Sequence, residues 1–87
     1  MARRFKVPVG EIDIIARKGD VVAFVEVKAR KDVATALDSI TLSSHKRIES
    51  AGDWWLSRQK DANVLSWRFD VIAIIPNRLP VHFKDVW

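Results

Sequence analysis

The sequence contains no cysteine and only two histidines among its 87 residues. Without cysteine the chain has no disulfide framework, no thiol nucleophile and no cysteine-based zinc site. Two histidines alone do not make a histidine-rich metal site, so any bound metal would depend on carboxylates. Apolar runs such as residues 71–75 are far too short to cross a bilayer. The basic start is not followed by an apolar core, so we expect no secretory signal and a cytoplasmic protein.

The composition is that of an ordinary globular domain, with 48% hydrophobic and 30% charged residues. No repeat, low-complexity tract or linker divides the chain, so we expect a single domain over residues 1–87. The formal net charge is +4. A basic surface suits nucleic acid, an anionic membrane or an acidic protein, although small domains also carry basic charge for solubility.

The order of strand and helix patterns along the sequence predicts an α/β domain. Two β-branched runs flank a Gly-Asp turn near residue 19 and predict a β-hairpin. Residues 29–42 show no clear period and are interpreted as a crossover loop. A helix follows, capped by Ser43 or Ser44 and ending near Lys60. Its apolar stripe is formed by residues at helical spacing: Ile48, Ala51, Trp55 and Leu56.

The last third of the sequence predicts two further strands. Residues 67–75 end in a stretch that is apolar on both faces, which is typical of a central strand. A strand, a helix and a strand in succession suggest a crossover to a parallel partner. Residues 81–83 are predicted to form a short last strand.

Charged residues of the hairpin are expected to share one face. The first strand is predicted to have one apolar face formed by Ile12, Ile14 and Ala16, and the second strand one formed by Ala23, Val25 and Val27. Burying the two faces together requires even positions to pair with odd ones, which puts Asp13, Glu26 and Lys28 on the same face. A two-residue turn at 19–20 sets Asp13 opposite Glu26 and Glu11 opposite Lys28. A turn at 18–19 sets Glu11 opposite Glu26 instead, and the sequence leaves both registers open.

Two carboxylates that converge on one point repel each other unless a proton or a cation lies between them. Mg²⁺ suits this position, because it takes hard oxygen ligands and often only one or two carboxylates. Lys28 would orient a water or offset charge in the transition state, so the pattern indicates metal-assisted phosphodiester hydrolysis. The alternative is an ordinary solvated charged face. Apolar side chains on the same face, such as Phe24, suggest that it is partly covered.

The segments GEIDIIA (residues 10–16) and FVEVKAR (residues 24–30) resemble the bacterial YraN-type proteins, which are predicted nucleases of the restriction-endonuclease-like superfamily with the PD-(D/E)xK fold. The resemblance continues through DSIT (38–41), KRI (46–48) and RFDV (68–71), and covers nearly the whole chain from Phe5. It implies a mixed sheet with a β-hairpin, one crossover helix and a following parallel strand.

The resemblance also implies roles for individual residues. Asp13 matches the first metal-binding acid, Glu26 the second and Lys28 the motif lysine. Glu11 would reach the metal through water, and Lys46 matches a basic position that would meet a phosphate.

The family pattern further implies an N-terminal helix, carrying a glutamate, before the segment that matches residues 3–9. This chain starts where that helix would already have ended, so we expect the helix to be missing and part of one sheet face to be uncovered. Such a face favours association, and we expect a homodimer or a truncated product.

Several other residues are weighed for nucleic-acid binding. Five basic residues would either follow a phosphate backbone or serve as solubilising charge: Arg3, Arg4, Lys6, Arg30 and Lys31. Trp54, Trp67 and Trp87 could stack on bases, whereas Trp55 lies on the core stripe of the helix. Asp70 is expected to make a structural hydrogen bond, with a third metal-binding carboxylate as the alternative.

Together these observations predict a Mg²⁺- or Mn²⁺-dependent nuclease acting on DNA, selective for branched or damaged structures. No residue set resembles a base-reading element, and backbone contacts alone give structure-selective binding. The alternative is a non-catalytic nucleic-acid-binding or protein-interaction module with a vestigial nuclease site.

Overall fold

Five strands form one mixed sheet in the computed structural model, which describes residues 2–86. The strands are β1 (Ala2–Val7), β2 (Gly10–Lys18), β3 (Val21–Ala29), β4 (Ser66–Ile74) and β5 (Val81–Phe83). Their order across the sheet follows their order in the chain. Strands β3 and β4 are parallel, and all other neighbours are antiparallel. The predicted α/β class with a parallel crossover pair is therefore confirmed, and the architecture is compatible with a restriction-endonuclease-like fold.

The turn between β2 and β3 selects one of the two registers that the sequence left open. The ladder runs from Ile14 opposite Val25 to Lys18 opposite Val21, so the two-residue turn is residues 19–20. Gly19 adopts a φ of 61°, a left-handed conformation that glycine accepts without strain. Carried one pair beyond the ladder, this register places Asp13 opposite Glu26.

Two helices, rather than one, lie in the connection from β3 to β4. Helix α1 (Val33–Asp38) falls within the stretch interpreted as a crossover loop, so that interpretation is wrong. Asp32 caps the helix by accepting a hydrogen bond from the Thr35 N–H at 2.7 Å. Ala36 is fully buried against Ala73 and the residues around it. A six-residue helix is too short to show a period, and this tertiary contact stabilises it.

Helix α2 (Leu42–Leu56) begins and ends earlier than predicted. Its N-cap is Thr41, whose hydroxyl accepts a hydrogen bond from the Ser44 N–H at 3.1 Å. Ser43 and Ser44 therefore lie inside the first turn, and the prediction that one of them caps the helix is wrong. A short 3₁₀ turn (Ala62–Val64) follows the helix, which does not continue to Lys60. No helix within residues 2–86 is long and apolar enough to span a membrane.

Both α-helices pack on the same face of the sheet, which we call the helix face. Buried side chains of β2, β3 and β4 form the core there with Ile48 and Ala51 of α2, and Ala73 of β4 meets Ala36 of α1. The opposite face carries no helix among the described residues, and we call it the open face. The predicted helix stripe through Ile48 and Ala51 is confirmed as the buried one.

The two faces are not divided as the sequence pattern predicted at Ile12. Ile12 was placed with Ile14 on one face, but it is buried in the same cluster as Ile15. Strict alternation cannot put both on the helix face, so β2 changes its facing between them. The change falls where the ladder to β3 ends, at Ile14, and where Arg4 of the neighbouring strand has a φ of 50°.

Candidate metal centre

One pocket on the helix face brings the predicted carboxylates together. It has a volume of about 250 Å³ and lies between the β2–β3 hairpin and the start of α2. Its lining residues are Glu11, Asp13, Glu26 and Lys28 from the hairpin and Ser44, Arg47 and Ile48 from α2. Three acidic and two basic side chains thus surround one polar pocket, and α2 provides the cover that the apolar residues on this face implied.

The Asp13 carboxylate is fixed by a backbone hydrogen bond from the neighbouring strand. Its Oδ2 accepts the N–H of Val27 at 2.9 Å, at the point where the β2–β3 ladder has ended. Asp13 is half-buried, and its Oδ1 has no hydrogen-bond partner among residues 2–86. One oxygen is therefore held in place while the other is available to a ligand in the pocket.

The backbone beside Asp13 is strained. The β1–β2 register pairs Arg3 with Ile14 and Phe5 with Ile12, which leaves Arg4 across from Asp13. Arg4 has a φ of 50°, a left-handed conformation that costs a non-glycine residue about 1–2 kcal/mol. Strained backbone of this kind tends to occur where a functional group must be held in a particular position.

Glu26 and Lys28 form an ion pair in the pocket. Lys28 Nζ lies 3.0 Å from Glu26 Oε1, and each side chain is only 17% exposed. Little solvent screens the pair, so the ammonium offsets the repulsion that Glu26 would otherwise feel from the other acids. Lys28 is thus placed to neutralise negative charge inside this pocket.

The donor set fits Mg²⁺ in the form that this ion usually takes in proteins. All acidic oxygens here are hard ligands, and Mg²⁺ commonly keeps several waters and uses one or two carboxylates. Within residues 2–86, no three His, Asp or Glu side chains are grouped closely enough to hold a metal together. The pocket therefore suits an ion held by Asp13 and Glu26 with water, rather than one enclosed by three protein ligands.

Helix α2 comes close to the hairpin because position 10 is a glycine. A Cβ at Gly10 would lie 2.0 Å from the backbone oxygen of Arg47, a distance that no side chain tolerates. This contact positions the helix turn that brings Ser44 and Arg47 to the pocket. Lys46, which the resemblance assigned to a phosphate, is exposed and does not line the pocket.

Ser44 and Arg47 were missed as site residues from the sequence. The available signal was helical spacing, because Ser44 lies four residues before the buried Ile48 and therefore on the same helix face. Finding Arg47 required knowing which end of the helix meets the hairpin.

The basic residues predicted to follow a phosphate backbone lie in separate places. Arg3 and Arg4 line a cavity of about 390 Å³ that also includes Asp13, Ile14 and Val27. Arg3 and Arg4 thus share a cavity with Asp13, a candidate metal ligand.

The other three lie on β1 and in the segment that follows β3. Lys6 is exposed on β1, in register with Glu11. Arg30 donates a hydrogen bond to the carbonyl oxygen of Ala29 at 2.8 Å, and Lys31 is exposed beside it. All three remain accessible to a ligand.

Asp70 makes structural hydrogen bonds, as predicted, and faces away from the pocket. Its side chain is fully buried on the open face, where it accepts bonds from Arg68 Nε at 3.0 Å and the Asp85 N–H at 2.9 Å. His82 Nε2 lies 2.8 Å from its other oxygen. Burial raises the pKa of Asp70, but these three partners lower it more, so the pKa lies below its usual value. Asp70 is therefore no third ligand for the pocket on the helix face.

The tryptophans serve the core and its edge. Trp55 packs on the core cluster and meets Phe24 edge-on, with ring centroids 6.2 Å apart, which confirms its predicted core position. The guanidinium of Arg58 lies over the ring of Trp54, and its Cζ is 3.5 Å from the ring centroid. Trp87 lies outside the described residues.

Comparison with known proteins places the chain in a family. The model described as "Uncharacterised protein family UPF0102" matches residues 1–74. A UPF0102 protein of Chelativorans is 49% identical over 87 residues, which covers 100% of this chain and 70% of that protein. A UPF0102 protein of Rhizobium johnstonii is 53% identical, covering 100% and 71%, and one of Bartonella bacilliformis is 52% identical, covering 97% and 69%. The chain therefore belongs to the UPF0102 family, the YraN-type proteins that its hairpin motifs resemble.

Proposed function

We propose that this chain is a Mg²⁺-dependent nuclease of the restriction-endonuclease-like superfamily, which hydrolyses phosphodiester bonds in DNA. The observation that carries the proposal is the convergence of Asp13, Glu26 and Lys28 on one pocket. These residues come from two strands and meet only because of the hairpin register. The pocket contains three acids, an ammonium and a guanidinium. The acids suit a metal cation, and the two basic groups suit the negative charge that develops during phosphoryl transfer.

The charged residues of the pocket divide the work of binding the metal and the phosphate in this proposal. Asp13, fixed by the Val27 N–H, and Glu26 would hold Mg²⁺ through their free oxygens, and Glu11 would bind its outer waters. The ion, when bound, supplies Lewis-acid activation of the phosphoryl group and a water of lowered pKa. Lys28 would exchange its contact with Glu26 for the attacking water or a phosphoryl oxygen. Arg47, on the opposite wall, would bind a non-bridging oxygen of the same phosphate.

The substrate proposal rests on charge. Arg3 and Arg4 share a separate cavity with Asp13 and would bind the strand on one side of the cleaved bond. They carry no information about base sequence, so we propose selectivity for DNA structure, as in branched or damaged DNA.

The homodimer expected from the sequence stays a prediction. Light scattering at micromolar concentration tests it, and a monomeric mass contradicts it.

A second candidate function has its own supporting observation. Among residues 2–86, the pocket acids do not form a group of three that could hold a metal, and Lys28 already neutralises Glu26. Both features are also expected of a vestigial site in a module that binds nucleic acid or protein without cleaving it.

Cleavage of labelled linear, single-stranded and four-way-junction DNA with Mg²⁺ or Mn²⁺ distinguishes the two candidates. The informative variants are Asp13→Asn and Glu26→Gln, because an asparagine oxygen can still accept the Val27 hydrogen bond and both changes keep side-chain size. Asp53→Asn, on the exposed side of α2, is the matched control.

The nuclease proposal predicts cleavage by the wild type and by the control, and loss of at least about 100-fold in both pocket variants, as is usual when catalytic electrostatics are removed. Equal activity in all four folded proteins would show that a contaminant or another site cleaves the DNA. A folded wild type that binds but never cleaves DNA would support the non-catalytic module.

A further inference from the structure

A second pocket lies on the open face of the sheet, away from the carboxylate pocket. It has a volume of about 360 Å³, within the size range of small-ligand sites. Four of its lining residues are basic and none is acidic: Arg17, Lys18, Arg68 and Lys84. Ala16, Val21 and Ala23 form an apolar floor between them.

The strand register explains how these residues meet. Ala16 pairs with Ala23, and Ala23 pairs with Arg68, so the three lie in one row across β2, β3 and β4. Lys18 lies two residues beyond Ala16, on the same face of β2, and is exposed. Lys84 follows β5 directly and closes the pocket from the other side.

Arg68 is held in position for an oxyanion by the buried Asp70. Its Nε donates to both Asp70 oxygens, at 3.0 and 3.2 Å, and Asp70 is 0% exposed. Neither terminal nitrogen of Arg68 has a hydrogen-bond partner among residues 2–86. A guanidinium fixed through its Nε presents these two donors without further loss of side-chain entropy.

The other arginine of the pocket is already occupied. Arg17 uses Nε on the Gly19 carbonyl oxygen, at 2.8 Å, and both terminal nitrogens on Asp61. Arg17 therefore forms one wall of the pocket, and each of its three guanidinium nitrogens already donates to a partner within the protein. Lys18 and Lys84 have no ion-pair partner within residues 2–86, so these two lysines supply the unpaired positive charge. Arg68, whose charge is paired with Asp70, supplies two free N–H donors.

We propose that Arg68, Lys18 and Lys84 form a phosphate-binding site on the open face, separate from the carboxylate pocket. The fork of Arg68 would bind two oxygens of one phosphate, and the lysines would neutralise its charge. The apolar floor leaves room for the sugar or base attached to that phosphate. The proposal goes beyond the proposed nuclease function, since a phosphate can bind here whether or not the other face hydrolyses DNA. The phosphate could belong to a nucleic-acid strand or to a free nucleotide.

Binding is measured with the full chain in EDTA, so that cleavage plays no part. One arm measures the anisotropy of a fluorescent ten-nucleotide single strand, and the other titrates ADP and pyrophosphate into ¹⁵N-labelled protein. The variant is Lys18→Gln with Lys84→Gln, and the control is Lys60→Gln with Arg78→Gln, which removes the same charge from exposed positions that line neither pocket. Arg68→Lys keeps a cation beside Asp70 but removes the fork.

If a strand binds at this site, the double-lysine variant should lose about 25-fold in affinity at 0.1 M salt. The slope of log affinity against log salt concentration should become shallower by about 1.4, because each phosphate contact on a single strand contributes about 0.7 to that slope. A free nucleotide predicts instead that ADP and pyrophosphate shift the Arg68 Nε–H resonance and the backbone amides of Ala16 and Ala23 in the wild type. The double-lysine variant should abolish both shifts, and Arg68→Lys should abolish the shifts of the two amides. Either result supports the site and identifies its source. Strand affinity equal to that of the control, with an unmoved Arg68 resonance, overturns it.

Discussion

The contact between Gly10 and helix α2 makes a sharp prediction about Gly10→Ala. A Cβ there would lie 2.0 Å from the Arg47 backbone oxygen, whereas ordinary van der Waals contact begins near 3.4 Å. The helix must therefore move by about 1.4 Å, the difference between these two distances. Backbone cannot rotate away as a side chain can, so we expect the cost to reach or exceed the upper end of the usual range for overpacking, about 3 kcal/mol. For a domain of this size that lowers the Tm by at least about 12 °C.

The matched control is Gly19→Ala in the hairpin turn. Within residues 2–86, no atom beyond Gly19 and its two chain neighbours lies within 4 Å of a Cβ at Gly19, so the expected cost comes from its φ of 61° and is about 1–2 kcal/mol. Urea unfolding of both variants, with Tm from circular dichroism, measures the difference. Because α2 carries Ser44 and Arg47, Gly10→Ala should also reduce any nuclease activity, while Gly19→Ala should not. If Gly10→Ala destabilises the protein no more than Gly19→Ala does, the close approach of α2 to β2 is refuted.

Three further predictions concern charged groups. The pKa of Asp70 is lower in the folded than in the unfolded chain. Its contribution to the free energy of unfolding is therefore complete above about pH 4 and is lost as the pH falls through the pKa of the folded chain. In urea titrations, Asp70→Asn should lose less stability than the wild type between pH 5 and pH 2, and an unchanged pH dependence would contradict this. Lys28→Ala should lower the free energy of unfolding by about 1–2 kcal/mol, because Glu26 loses its cation; this value lies between those of surface and buried ion pairs. Mg²⁺ should raise the Tm of this variant more than that of the wild type, and an equal rise would argue against a site shared by Lys28 and the metal. Arg58→Ala should cost about 0.5–1 kcal/mol by removing the cation from the face of Trp54, and a stability equal to that of the wild type would show that the stacked pair contributes nothing.

The hairpin and the parallel pair could be predicted because their signals are local or periodic. The Gly-Asp turn limits the register to two choices, and the structure has the one centred on residues 19–20. Helix α1 could not be predicted in this way, because its stability depends on a cap at Asp32 and on Ala36 reaching β4. The helix caps were misplaced for a similar reason, since Thr41, Ser43 and Ser44 all have hydroxyls that suit an N-cap.

The candidate site was predictable in its hairpin half and not in its helix half. Asp13, Glu26 and Lys28 follow from strand alternation and from the motifs that carry the family resemblance. The change of facing at Ile12 was not visible, because it depends on the Asp13 carboxylate replacing a ladder contact with the Val27 N–H. Arg47 depends on how closely a helix approaches a strand, and only Gly10 hints at that distance in the sequence.

The most direct test of the central claim, a metal held by Asp13 and Glu26, is a crystal of the protein soaked in Mn²⁺, with the anomalous signal measured at the manganese edge. We expect one strong peak in the pocket on the helix face, within about 2.3 Å of an Asp13 oxygen and a Glu26 oxygen, and we expect it to be absent from crystals of Asp13→Asn. No peak in that pocket at millimolar Mn²⁺, with the Lys28–Glu26 ion pair intact, would contradict the metal centre and with it the proposed nuclease.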